Sequence, residues 1–167
     1  IVIDPDAERI GEFRRSMIER GLYGTRVSAL VGHALDMDIA PYFANVVVSE
    51  VPETQLFVKS GADLETAVRR IFALLRPFDG TACFASTSEQ YRNLEAATDA
   101  ARLDQGTLER SGEFALLRRI DAPTGSGEWT HQYADPGNTV RSTDRLVKAP
   151  LGILWWGGPS NEGILPR

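Results

Sequence analysis

Two hydrophobic periodicities alternate along residues 1–120, and the alternation restricts the chain to few folds. Val46-Val47-Val48 is a continuous apolar run behind Asn45. It is short and β-branched, which predicts a strand buried on both faces, as in a parallel sheet covered by helices. Asp63 to Leu75 follows the other period. Leu64, Ala67, Val68, Ile71, Leu74 and Leu75 make one apolar stripe, and Arg76-Pro77 closes it. Helical spacing also marks Asp6 to Glu19, through Ile10, Phe13, Met17 and Ile18. Pro5 suits the first turn of that helix and Gly21 its stop. A further helix is expected from Ser88 to Arg102, with Tyr91, Leu94, Ala97 and Ala101 on one side. Strands are expected at Ile1 to Asp4, Thr25 to Val31, Thr81 to Ala85, Thr107 to Arg110 and Phe114 to Ile120, with a turn at Ser111-Gly112 between the last two. The order is strand, helix, strand, strand, helix, strand, helix, hairpin. That is a parallel α/β sheet finished by an antiparallel edge.

With 167 residues, the chain is long enough for one such domain and a tail, not for two full domains. The composition shifts at Asp121. Ala122-Pro123-Thr124-Gly125-Ser126-Gly127 reads as a linker, which divides the chain into an α/β domain at 1–120, a linker at 121–127 and a tail at 128–167. Helical periodicity ends there, and all three tryptophans, Trp129, Trp155 and Trp156, follow it. Apolar runs such as Leu151-Gly152-Ile153-Leu154-Trp155-Trp156 seek burial, so the tail reads as a piece of an all-β module. A net charge of -5 argues against a nucleic-acid partner. The pairs Arg14-Arg15, Arg69-Arg70 and Arg118-Arg119 fall on separate elements and read as solvated faces. No apolar stretch approaches the roughly 20 residues of a membrane helix. Cys83 is the single cysteine, and its apolar surroundings suggest a small buried hydrophobe.

The residues with chemical potential sit at predicted strand ends. Ile1-Val2-Ile3-Asp4 reads as a buried strand ending in an acid, the position from which a carboxylate grips the ribose hydroxyls of a nucleotide. The structural alternative for Asp4 is to cap the helix that starts at Pro5 or Asp6. No glycine-rich turn and no initiator methionine precede it, so the chain reads as cut at its front. Ser49 and Glu50 follow the Val46-Val47-Val48 strand, where open α/β sheets place ligands. Ser49 is a candidate polar liner. Glu50 is the candidate base or substrate-orienting acid, with an exposed loop acid as its plain alternative. His33 has no neighbouring cysteine or histidine to build a metal site, and none is assigned. Asp135, Asn138 and Asp144 suit either a cation-binding loop or ordinary turns.

In their order, these segments resemble the class I S-adenosylmethionine-dependent methyltransferases from the second strand of that family onward. Val2-Ile3-Asp4-Pro5-Asp6 matches the ribose-holding acid and its turn, and Val31-Gly32-His33-Ala34 matches the stretch that meets the adenine. His33 stands where the family commonly has an acid, and Asp36 or Asp38 lie near enough to substitute. Asn45 to Glu50 resembles the fourth strand and the loop facing the methyl group, and Leu74 to Gly80 resembles the turn before the fifth. Phe114 to Arg119 resembles the end of the terminal hairpin.

The resemblance implies a Rossmann-like methyltransferase sheet lacking its first strand and glycine-rich loop, with an antiparallel terminal hairpin and an irregular or β tail. In that family the missing strand is central, so the chain alone is expected to be aggregation-prone. S-adenosylmethionine is the implied cofactor, with Asp4, Pro5, His33, Ala34 and Ser49 as cofactor-binding residues and an unknown methyl acceptor as partner. The tail from Glu128 to Thr139 and from Leu154 to Pro159 resembles the pyrroloquinoline-quinone-type β-propeller repeats of large bacterial proteins. It implies contact with neighbouring blades, with Trp129 and Trp155 as packing residues and no assignable quinone site. Two compartments stay open, the cytoplasm and the cell envelope. Methyl transfer is the expected function. The alternatives are a non-catalytic scaffold with a degenerate methyltransferase-like insert, or a nicotinamide-binding domain, against which the antiparallel hairpin counts.

Overall fold

The computed structural model describes residues 1–49 and 63–150. Among them lie nine elements: β1 (Val2–Asp4), α1 (Ala7–Glu19), β2 (Ala29–Val31), β3 (Val46–Ser49), α2 (Leu64–Leu74), β4 (Gly80–Ala85), α3 (Ser88–Ala101), β5 (Gly106–Ser111) and β6 (Phe114–Arg119). The chain divides into two compact units. The first ends at Pro123 and contains all nine elements; the second begins at Thr124.

Each helix starts where a side chain takes up amides that have no partner within the helix. Asp63 caps α2 by accepting from the Thr66 amide at 2.7 Å. Thr87 and Gln90 cap α3 reciprocally. At α1 the cap is Asp6, which accepts from the amides of Glu8 and Arg9. This corrects one expectation, since Pro5 lies ahead of the helix rather than in its first turn, and it removes the alternative in which Asp4 is the cap.

β1 and β2 form a parallel pair with Asp4 opposite Val31, and α1 packs on both, burying Ile10. β2 is shorter than expected because Thr25 turns back on the preceding loop, its hydroxyl donating to the Leu22 carbonyl. The second sheet has the order β3-β4-β6-β5. β3 is parallel to β4, and β6 is antiparallel to both β4 and β5. α2 and α3 cover one face of it. Val68 and Ile71 of the first, Leu75 just behind it, and Leu94 of the second enclose Ala82, Phe84, Ala115 and Leu117 from the strands.

The opposite face departs from expectation. The strand period of two sends Val47 toward the helices and sends Val46 and Val48 the other way, where they are 64% and 66% exposed. Burial of β3 on both faces is therefore overturned: nothing among the described residues covers its second face. Cys83, opposite Val48, is half-buried rather than a core residue.

The Arg118-Arg119 pair is split by the same alternation. Arg118 pairs with Asp79 and Glu109. Arg119 is only 5% exposed, against the reading of a solvated face. Its Nε donates to the Leu75 carbonyl at 3.0 Å and its Nη2 to the Phe72 carbonyl at 2.9 Å, while the guanidinium lies 3.8 Å from the Phe72 ring centre. It thus satisfies the carbonyl end of α2, where the helix dipole favours a cation. Burial lowers its pKa, and Tyr42 and Asp104 act in the opposite direction.

In the second unit, residues 124–150 contain turns and one isolated bridge, His131 to Ala134, with no strand or helix. Asp144 accepts from the amides of Gly127, Leu146 and Val147. Asp135 accepts from the amides of Gly137 and Thr139 and from the Thr139 hydroxyl. These bonds depress both carboxyl pKa values, the Thr139 hydroxyl acting most strongly on Asp135 and the Gly127 amide on Asp144. Both acids organise turns. Trp129 is 56% exposed, and Trp155 and Trp156 lie outside the described residues.

Candidate functional site

The parallel pairing of β1 with β2 builds the site edge. The Gly32 amide donates to the Asp4 carbonyl at 3.0 Å, extending the ladder one residue beyond β2. His33 and Ala34 therefore leave the sheet at the edge where Asp4 ends β1 and Pro5 turns toward α1. Four of the five predicted cofactor-binding residues share this edge. Ser49 ends β3 in the other sheet, opposite Phe84. Glu50 lies outside the described residues.

The Asp4 side chain is 23% exposed and bonded to its neighbours through both oxygens. Its Oδ1 accepts from the Asp6 amide at 2.8 Å. Its Oδ2 accepts from Arg9 Nη1, also at 2.8 Å. A carboxylate has about four acceptor sites, more than these two bonds occupy. Arg9 is the residue that the sequence did not single out. It lies five positions beyond Asp4 across a strand-to-helix turn, where no helical spacing rule connects the two.

His33 is half-buried, and its carbonyl accepts from the Asp36 amide in a tight turn. Gly32 precedes it at φ +153°, with the Met37 side chain 3.7 Å from where a Cβ would stand. Asp36, a candidate substitute for the adenine-facing acid, is turned toward α2. Its carboxylate is 3.7 Å from Arg70, which also donates to the Leu35 carbonyl. Arg70, Ala73 and Leu74 of α2 and the loop from Ala34 to Pro41 enclose a cleft of about 470 Å³. A second, of about 440 Å³, lies between α3 and β5 around Glu95, Asp99 and Thr107. Of the predicted site residues, Ala34 lines the first; Asp4, Pro5, His33 and Ser49 line neither. Among the described residues, no group of three or more His, Cys, Asp or Glu is placed to hold a metal ion, and no helix is long and apolar enough to cross a membrane.

Asp4 thus places a carboxylate at the tip of one parallel strand, beside the loop that leaves the next, which is where open α/β sheets place their ligands. The fold is methyltransferase-like. It is similar to that of a Methanococcus maripaludis protein assigned as an S-adenosyl-L-methionine-dependent methyltransferase, with a TM-score of 0.54, 14% identity, and 72% of this chain and 66% of that one covered. It is also similar to a protein of Corynebacterium glutamicum, with a TM-score of 0.52, 17% identity, and 73% of this chain and 61% of that one covered. The chain thus spans about two thirds of the length of each. No family model and no curated protein matches it.

Proposed function

We propose that the first unit belongs to an S-adenosylmethionine-dependent methyltransferase-like domain, and that it holds the nucleoside end of the cofactor at the edge formed by Asp4, Pro5, His33 and Ala34. The observation that carries this reading is the Asp4 carboxylate beside the turn leaving β2, in a fold of methyltransferase type. The polar, part-exposed carboxylate suits a ribose, accepting from its hydroxyls. His33 and Ala34 would face the base, and Ser49 the methyl-bearing side, with Glu50 as the candidate base. When bound, the cofactor supplies an electrophilic methyl group on a sulfonium. The chain's residues then contribute orientation and, for an acceptor that loses a proton, a place to put it.

The finer fold assignment belongs to the same proposal. Among the described residues β1 pairs only with β2, and β3 only with β4, so β1 and β3 each present a parallel edge with no described partner. In the resembled family a single strand fills the position between these two. We read the sheets as two parts of one, completed by a strand from outside residues 1–49 and 63–150. The propeller-repeat context of residues 128–167 rests on the resemblance of the tail sequence alone.

A second reading, a non-catalytic scaffold with a degenerate methyltransferase-like insert, is favoured by the Arg9 side chain on Asp4 and by the position of both clefts away from that acid. Equilibrium dialysis against labelled S-adenosylmethionine separates the two. Retention that is displaced by S-adenosylhomocysteine but not by methionine supports the cofactor reading; no retention supports the scaffold.

A further inference from the structure

We propose that Arg9 is a positioning residue that closes the ribose-accepting carboxylate in the absence of ligand, so that binding at Asp4 requires Arg9 to move aside. The inference rests on the cofactor reading above and concerns how the chain sets its affinity. The two oxygens of Asp4 are held in different ways. Oδ1 is tied to the Asp6 amide, two residues on, and stays tied as long as the turn into α1 persists. Oδ2 accepts from the tip of a long side chain that is itself 70% exposed. A pair of vicinal hydroxyls donating to both oxygens therefore meets, at Oδ2, a charged partner that can move, Arg9.

The displaced guanidinium has somewhere to go. Arg9 Nη2 already lies 4.0 Å from Asp6 Oδ2, so the charge can transfer from the strand-tip acid to the helix-cap acid without losing a carboxylate partner. Asp6 keeps its capping bonds to the Glu8 and Arg9 amides through Oδ1, which leaves Oδ2 for the incoming cation. Closure is therefore weak, because an exposed ion pair is worth little and salt screens it. Such a device sets an affinity without forbidding binding. It also leaves a signature that a purely structural arginine would not: affinity for a ligand of no net charge rises with ionic strength, because salt loosens the competitor.

Calorimetric titration of the full chain with S-adenosylhomocysteine, at low and at high ionic strength, tests this with Arg9→Met beside the unaltered protein. At low salt Arg9→Met is expected to bind about two- to fivefold more tightly. The two should converge at high salt as the unaltered protein improves. If Arg9→Met binds no better than the unaltered protein at low salt, or if the affinity of the unaltered protein falls with salt, Arg9 does not compete for Asp4, while the cofactor reading stands. No binding by either protein overturns the cofactor reading itself, and with it this inference.

Discussion

Arg119→Met removes a buried guanidinium while keeping most of its apolar stem. Two carbonyls at the end of α2 lose their charged donor. That of Phe72 still accepts from the Leu75 amide at 3.1 Å, so it remains satisfied. That of Leu75, on a residue with 0% exposure, is left without its Arg119 partner, at a cost of about 1 to 3 kcal/mol. The lost second bond adds about 1 kcal/mol, and the lost contact with the Phe72 face about 1 more. Against this stands the relief of no longer burying an ion, part of which the carbonyl end of α2 already offsets in the native protein. The balance is a destabilisation of about 2 to 4 kcal/mol. Arg119→Lys should lie between, because an ammonium can reach one carbonyl but cannot fork to two. Urea unfolding followed by circular dichroism, with equal m-values, measures both. A midpoint for Arg119→Met within about 0.5 kcal/mol of the native protein would refute the reasoning, since ordinary surface changes fall in that range.

Three further outcomes are expected. Gly80→Ala places a Cβ against the backbone of Arg76, whose nitrogen would lie 2.6 Å away, and should cost about 1 to 3 kcal/mol in the same unfolding assay. Asp63 has its pKa lowered, chiefly by the Thr66 amide and then by the Thr66 hydroxyl. Its stabilising contribution is therefore present above the unfolded carboxylate value and is lost as pH falls through the depressed folded value. Asp63→Asn keeps a cap that does not titrate, so its stability should fall less steeply than that of the native protein below about pH 4, as read from unfolding curves across the acid range. Val48→Lys places a charge on the open face of β3 and should reduce self-association in light scattering while the circular dichroism spectrum is unchanged. Loss of helical signal instead would mean that the valine is buried in solution.

The elements with a single dominant period were legible in the sequence. α2 announces itself by six apolar positions on one stripe and by Arg76-Pro77 behind it, and β4 and the hairpin strands fall within a residue or two of expectation. What was not legible depended on neighbours. The apolar run at β3 shows that both faces tolerate burial, not that both receive it. Two adjacent arginines look alike in sequence, and only the register that puts Arg119 on the same face as Leu117 separates the buried one from Arg118. That register was available from the alternation of Ala115, Leu117 and Arg119. The site was partly legible. Asp4 and the loop from Gly32 to Ala34 meet at one edge because parallel pairing brings strand tips together. Arg9 escaped notice because its link to Asp4 crosses a turn whose geometry depends on Asp6, and not on Asp4, as the helix cap.

The central claim is that a nucleoside is held at the Asp4 edge. Backbone amide chemical-shift mapping of the full chain, titrated with S-adenosylhomocysteine, tests it most directly. The account predicts that shifts concentrate at Asp4, Asp6 and the Gly32 to Ala34 loop, and that Asp4→Asn abolishes them while the rest of the spectrum is retained. Shifts confined to the cleft between the Ala34 to Pro41 loop and α2, or no shifts at saturating ligand, would contradict it.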